Sequence, residues 1–269
     1  MPFRRVLIIA DIEGSSGCWN YAASSFLTPE WALACAAMTQ DVQSVVRALF
    51  GAGVEEIIVK DFHRTGYNLV PEQIDRRARV DSGYALRPIP GMGDPGRAEA
   101  VLFLGLHDAS GTKGFLPHTM TSRLAEFRVN GHPLPEVALF ASVLASYDIR
   151  PIFFSGCPSA CEQAAMAVPG ISTYPINKSQ GPTEFDAQLW RSGLARMAVE
   201  SLSNDVTRPL NGKGPFTVQV VLRDGAVAAQ KIASRWRLKR AGAAVRFEVK
   251  DLPELFLMLS RICYLVPAC

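Results

Sequence analysis

Val6-Leu7-Ile8-Ile9-Ala10-Asp11-Ile12-Glu13-Gly14, near the start of the 269-residue chain, is the stretch that decides the fold. Its first five residues are apolar without alternation, the pattern of a strand buried on both faces of a parallel sheet, and the run breaks at Asp11. Downstream, Thr28-Pro29-Glu30 supplies a helix cap, a proline at the first helical position and an acid in the first turn. The spacing predicts a helix to about Phe50, stopped at Gly51 or Gly53. Val54 to Val59 reads as a second strand, followed at once by Lys60-Asp61-Phe62-His63. This is a βαβ unit.

The pattern recurs outward from there. A strand is expected at Ala100 to Gly105, a hairpin turn at Asn130-Gly131, a helix from Glu136 to about Tyr147 and a strand at Ile152 to Ser155. A helix from near Pro158, a strand at Ser172 to Ile176 and a helix from Thr183 to about Leu202 complete it. The fold class is therefore α/β, a doubly wound and mostly parallel sheet over residues 1–208. Beyond Pro209-Leu210-Asn211-Gly212 the order becomes strand (Phe216 to Leu222), helix (Ala226 to Ser234), strand (Ala244 to Val249) and a helix opening with Asp251, Pro253 and Glu254. Residues 209–269 are expected to form a smaller α+β subdomain, suited to subunit contacts.

Composition narrows the class. With 48% hydrophobic and 20% charged residues, the chain can bury a large core, which excludes disordered and fibrous proteins. Its longest apolar runs fall far short of the roughly 20 residues that cross a bilayer. Phe3-Arg4-Arg5 opens no signal peptide, because Asp11 and Glu13 interrupt the run and no small-residue cleavage site follows. A soluble cytoplasmic protein without a membrane partner is expected. Six scattered cysteines (Cys18, Cys35, Cys157, Cys161, Cys263, Cys269) make no disulfide framework and read as reduced thiols. A net charge of +3 is too mild to imply nucleic acid, and the basic run from Lys231 to Lys250 reads as a solvated face or a subunit contact.

Sites in open α/β sheets lie outside the carboxyl ends of the strands. That rule collects Asp11 and Glu13 after the first strand, Asp61 and His63 after the second, and His107 after the third, with His118 on the loop that follows. Three of the four histidines thus share one rim. Zinc favours imidazole nitrogen with carboxylate oxygen, and two close ions need a bridging carboxylate plus terminal ligands. Taken singly, each residue has a plainer role: Asp11 as a turn cap, a magnesium ligand or a ribose contact, and the histidines as satisfied surface or core groups. The Glu13-Gly14-x-x-Gly17 spacing is not a dinucleotide-binding fingerprint.

Asp11-Ile12-Glu13-Gly14, Lys60-Asp61-Phe62-His63, Gly105-Leu106-His107, His118-Thr119 and Pro135-Glu136 together resemble, in order and spacing, the zinc-dependent D-aminopeptidases. The resemblance is strong over the first half of the chain. It implies a binuclear zinc site with Asp11 as the bridging ligand and Glu13, His63, His107 and Glu136 in the remaining positions. It also implies that His118, eleven residues after His107, acts beside the metals rather than on them. The activity implied is release of an N-terminal, D-configured residue from short peptides or peptide amides by metal-activated water, in a ring-shaped homo-oligomer, a decamer. Lys178 resembles a family lysine, while Cys157-Pro158-Ser159-Ala160-Cys161 stands where the family carries acidic residues. Two other functions compete. One is a cysteine-dependent amidohydrolase built on Cys157 at a strand-to-helix turn. The other is a non-catalytic metal-binding protein.

Overall fold

The computed structural model describes residues 3–264. In chain order the elements are β1 (Arg5–Ala10), α1 (Pro29–Gly51), β2 (Glu56–Asp61), β3 (Arg79–Asp81), β4 (Ala100–Leu106), β5 (Leu124–Val129), β6 (His132–Pro133) and α2 (Glu136–Leu144). They continue with β7 (Arg150–Gly156), α3 (Pro158–Ala167), β8 (Ser172–Pro175), α4 (Ala187–Glu200), β9 (Lys213–Leu222), α5 (Gly225–Trp236), β10 (Lys239–Ala241), β11 (Ala244–Asp251) and α6 (Leu252–Tyr264).

Six parallel strands form one sheet in the order β3-β2-β1-β4-β7-β8. The chain moves outward from β1 through β2 to β3, then returns to lay β4 on the other side of β1. The doubly wound α/β architecture read from the sequence is therefore present, and its strand order reverses between β1 and β4. A ligand crevice opens at such a switch point. The two faces of β1 explain its unbroken apolar run: Val6, Ile8 and Ala10 pack with α1 and α4, whereas Leu7 and Ile9 join the core that contains α2 and α3.

A second, antiparallel sheet runs β10-β11-β9-β5-β6. The Asn130-Gly131 hairpin forms as expected, but it pairs with β9, so this sheet takes strands from both sides of residue 209. All nine residues of α2 are buried. A helix that is apolar all round must be covered all round, and the core that encloses α2 holds side chains of both sheets and of α6.

Local chemistry sets the boundaries. Thr28 caps α1, its hydroxyl accepting from the Trp31 N–H at 3.0 Å. α4 begins at Ala187 rather than near Thr183, because the Asp186 carboxylate captures the Leu189 N–H at 2.9 Å and fixes the first turn there. β2 begins two residues later than expected: the Val54 N–H still closes the α1 terminus on the Leu49 carbonyl. Asp61 consequently belongs to the strand. Five cysteines are free thiols, and Cys269 lies outside the described residues. The seven lysines and arginines between Lys231 and Lys250 are all exposed. Four of them lie on edge strand β10 or its neighbour β11, where charge discourages pairing with another sheet. Among the described residues, no helix is long and apolar enough to cross a membrane.

The loop after β1 is tied to the helical layer by an ion pair between buried Asp41 and half-buried Arg191. Asp41 on α1 accepts from the Ser16 N–H at 2.7 Å, the Ser16 hydroxyl at 2.6 Å and Arg191 Nε at 2.7 Å from α4. Burial raises the Asp41 carboxyl above the ordinary carboxylate range despite these donors. Removing one partner of a buried pair strands the other charge, at a cost of about 3–5 kcal/mol. Arg191→Ala is expected to lose about that much unfolding free energy at neutral pH in urea titrations. The deficit should narrow as the pH falls and Asp41 takes up a proton, and an undiminished deficit at acid pH would contradict the assignment.

Candidate metal centre

The switch point works as a site because two glycines let β1 and β4 approach. Beyond Ala10 the chain stays against β4: the Asp11 N–H donates to the Leu104 carbonyl at 2.8 Å, and the Gly14 N–H to the Gly105 carbonyl at 2.7 Å. A β-carbon on Gly14 would sit 2.6 Å from the Leu106 carbonyl oxygen, and one on Gly105 2.2 Å from the Asp11 carbonyl oxygen. Gly105 also has φ +78°, a backbone that side chains disfavour. These contacts carry Asp11 and Glu13 beside His107 at the end of β4.

Six side chains converge there, all lining one cleft of about 680 Å3. Asp11 uses both carboxylate oxygens, with Oδ1 3.1 Å from His63 Nδ1 and Oδ2 3.3 Å from His107 Nε2. Glu13 Oε2 is 3.0 Å from His63 Nδ1, and Glu13 Oε1 is 4.0 Å from His118 Nε2. Glu136 Oε2 is 3.7 Å from His107 Nε2. The imidazoles of His107 and His118 stack with centroids 3.7 Å apart. The donor atoms fall into two groups, Asp11 with Glu13 and His63, and Glu136 with His107 and His118.

The protein fixes each imidazole by its other nitrogen. His63 Nε2 faces the Ser24 carbonyl at 2.9 Å, His107 Nδ1 the Asp108 carbonyl at 3.0 Å, and His118 Nδ1 the Leu116 carbonyl at 2.9 Å. A carbonyl can only accept, so those nitrogens carry a proton and the opposite ring nitrogens face the cleft. Such backing by main-chain carbonyls is how proteins orient metal-binding histidines. Leu116 and Met120 flank His118 with φ of 45° and 62°, in the left-handed region that non-glycine residues avoid. The strained turn is functional in its contacts: Leu116 holds His118, and the Met120 N–H donates to Glu136 Oε1 at 2.6 Å.

The electrostatics call for a cation. Three buried carboxylates face one another, and burial together with Glu13 raises the Asp11 carboxyl well above its usual range. Burial would lower the His63 pKa, but the Glu13 and Asp11 carboxylates outweigh it and raise that pKa well above the ordinary histidine value. Burial lowers His107 and His118, which are thereby kept neutral. Glu13 Oε2 is buried and, despite its closeness to His63, makes no hydrogen bond among the described residues. A buried carboxylate oxygen without a hydrogen bond, amid inward-facing imidazole nitrogens, fits a bound divalent metal, with nitrogen and oxygen donors that suit zinc.

Asp61, gathered on the rim by the strand rule, faces away from this cluster. Its carboxylate accepts from the N–H groups of Asn68 and Leu69 at 2.5 and 2.8 Å and from Asn68 Nδ2 at 2.8 Å, closing the loop that holds His63. Lys178, unassigned from residues alone, donates to the Ser15 carbonyl and, at 2.7 Å, to the Cys18 carbonyl, bracing the loop behind Glu13. Burial lowers its pKa to about 8. Cys157 lies outside the cleft. Its buried thiol is 3.2 Å from the Asp108 carboxylate and burial raises its pKa, the reverse of what an activated nucleophile needs. Sequence reasoning did not single out Tyr84, Arg64, Arg123 or Arg223 on the cleft wall. Only Arg64, next to His63, carried a local signal.

A parallel sheet whose switch point gathers buried carboxylates and imidazoles defines an α/β enzyme of the metal-site class. Residues 4–261 match the sequence profile of the peptidases described as D-aminopeptidase, and the chain belongs to that family, whose members hydrolyse peptide bonds. The resemblance read from the short motifs is thereby borne out. The D-aminopeptidase of Bacillus subtilis (strain 168) is 25% identical over 227 residues, covering 81% of this chain and 82% of that protein. In fold, the chain is similar to the Zn-dependent D-aminopeptidase DppA from Bacillus subtilis, described as a self-compartmentalizing protease. The TM-score is 0.83 at 21% identity, over 98% of this chain and 100% of that one.

Gly105→Ala should cost more than a left-handed backbone alone explains. Gly131, at φ +84° with nothing within 4 Å of an added β-carbon, is the control. Gly131→Ala is expected to lose about 1–2 kcal/mol from its backbone alone, and Gly105→Ala clearly more, in paired urea titrations. Equal losses would refute the close approach of β1 and β4 as the site's foundation.

Proposed function

We propose that the cluster holds two zinc ions and that the chain is an aminopeptidase releasing an N-terminal D-amino acid from short peptides or peptide amides. The observation that carries this reading is the division of Asp11, one oxygen toward His63 and the other toward His107. A carboxylate placed between two nitrogen donors is what a bridging ligand requires. Asp11, Glu13, His63, His107 and Glu136 would hold the ions. Zinc bound there supplies Lewis acidity, which eases deprotonation of water and polarises a carbonyl. The zinc dependence of the Bacillus subtilis relative supports the choice of metal.

The chain's own groups do the rest. The carbonyls of Ser24 and Asp108 keep His63 and His107 in one tautomer and orientation. His118, neutral and stacked on His107, presents Nε2 to the cleft with Nδ1 anchored. It serves as the proton acceptor and donor of the reaction, because a neutral imidazole with a free lone pair can take a proton from the attacking water and return it to the leaving amine. The Phe62 and Tyr84 rings, packed 5.5 Å apart edge-on, form an apolar wall that limits water at the reacting bond. The proposed assembly is a ring-shaped homo-oligomer, in line with the self-compartmentalizing relative. Leu27 and Leu33, 76% and 73% exposed around the start of α1, supply apolar surface of the kind subunit contacts cover.

Metal analysis with hydrolysis assays tests this. Purified protein should carry two zinc ions per chain, lose hydrolysis of D-amino-acid amides on chelation and regain it on zinc addition. Asp11→Ala should lose both metal and turnover. His118→Ala should keep its zinc while kcat falls about 10²–10⁴-fold, the range for loss of a general base. Loss of metal in His118→Ala would make that residue a ligand, and metal-free protein with undiminished activity would overturn the proposal.

A further inference from the structure

The cleft has two chemically distinct zones. Its floor is the cluster of carboxylates and imidazoles, while its wall and mouth carry Arg64, Arg123 and Arg223. Arg123 is already committed, with Nε 2.6 Å from Asp224 Oδ2. Arg64 and Arg223 have no carboxylate partner among the described residues. Arg223 is nonetheless held in place. Arg223 Nε donates to the Ser122 carbonyl at 2.8 Å, and its main-chain N–H to the Arg123 carbonyl at 2.9 Å, which fixes the guanidinium and leaves its terminal nitrogens without a hydrogen bond among the described residues. Arg64 follows His63 with φ 47°, a left-handed backbone that costs a non-glycine residue about 1–2 kcal/mol. Its Nη2 makes only a long contact, 3.4 Å, with the Tyr21 hydroxyl.

A guanidinium pairs with a carboxylate through two parallel N–H donors, which makes arginine the residue for recognising that group by shape as well as charge. Two guanidiniums at the mouth without a carboxylate partner among the described residues, one of them oriented by the Ser122 carbonyl, stand above a floor built of carboxylates and polarise the cleft. A short peptide has the complementary polarity, an amine at one end and a carboxylate at the other. A volume of about 680 Å3 lies within the range of small-ligand pockets and admits a short peptide.

We propose that Arg223, assisted by Arg64, binds the C-terminal carboxylate of the substrate, so that the enzyme selects short peptides with a free carboxyl end over their amides. This rests on the peptidase reading above and adds to it the substrate's far end, which the metal cluster does not sense.

The test compares D-alanylglycine with D-alanylglycinamide on zinc-loaded wild type, Arg223→Gln and Arg64→Gln. The wild type should show a KM at least tenfold lower for the free acid. Arg223→Gln should raise that KM about tenfold, as expected for losing a hydrogen bond to a charged group. It should raise the amide's KM far less and leave kcat for the acid little changed, with Arg64→Gln acting in the same direction more weakly. Equal KM values for acid and amide in the wild type, or equal rises for both substrates in the variants, would overturn the proposal. If neither compound is hydrolysed, the peptidase reading fails separately. Calorimetric titration of the zinc-loaded protein with D-alanylglycine then decides the arginines: weaker binding in Arg223→Gln supports them, and unchanged binding removes them.

Discussion

Everything at the site depends on how closely two strand ends approach. β1 and β4 are neighbours in a parallel sheet, but their following loops would normally diverge. Gly14 and Gly105 allow main chain to lie against main chain, so Asp11, Glu13 and His107 share one small volume although about a hundred residues separate them. The reversal of strand order between β1 and β4 opens the crevice, and the absent β-carbons let its walls close to within a ligand's reach.

Around that contact the protein spends its polar groups on orientation. Main-chain carbonyls hold three imidazoles, Asp61 and Asn68 close the loop carrying His63, and the Asp41–Arg191 pair with Lys178 braces the loop that follows Glu13. The carboxylate oxygens and imidazole nitrogens of the cluster are left facing inward with few partners of their own. Such an arrangement is unfavourable without a cation and well ordered with one, since the supporting hydrogen bonds restrict the motions by which the carboxylates could separate.

Much of this was legible in the sequence, for physical reasons. The apolar run Val6 to Ala10 and the Thr28-Pro29-Glu30 cap announce themselves locally, because burial on both faces and capping leave unambiguous patterns. The rule that sites follow strand ends placed Asp11, Glu13, His63 and His107 together. Arg79–Asp81 and Lys239–Ala241 were not read as strands: each is three residues long, largely charged and on a sheet edge, so pairing with a neighbour decides its conformation. Asp61 shows the limit of position alone, since alternation and loop closure turn it from the cleft. Glu136 followed only from the family resemblance, because it starts a helix delivered to the crevice by packing between two sheets.

That helix has a consequence for how the protein can be divided. α2 gives Glu136 to the cluster from its first turn and buries every residue between the parallel sheet and the elements that follow. The C-terminal strands and α6 are therefore part of the wall that positions a site group. The chain is not modular at this seam. Recombination that exchanged the last third of the sequence for an unrelated domain would remove the cover from α2, so the two sheets are constrained to diversify together.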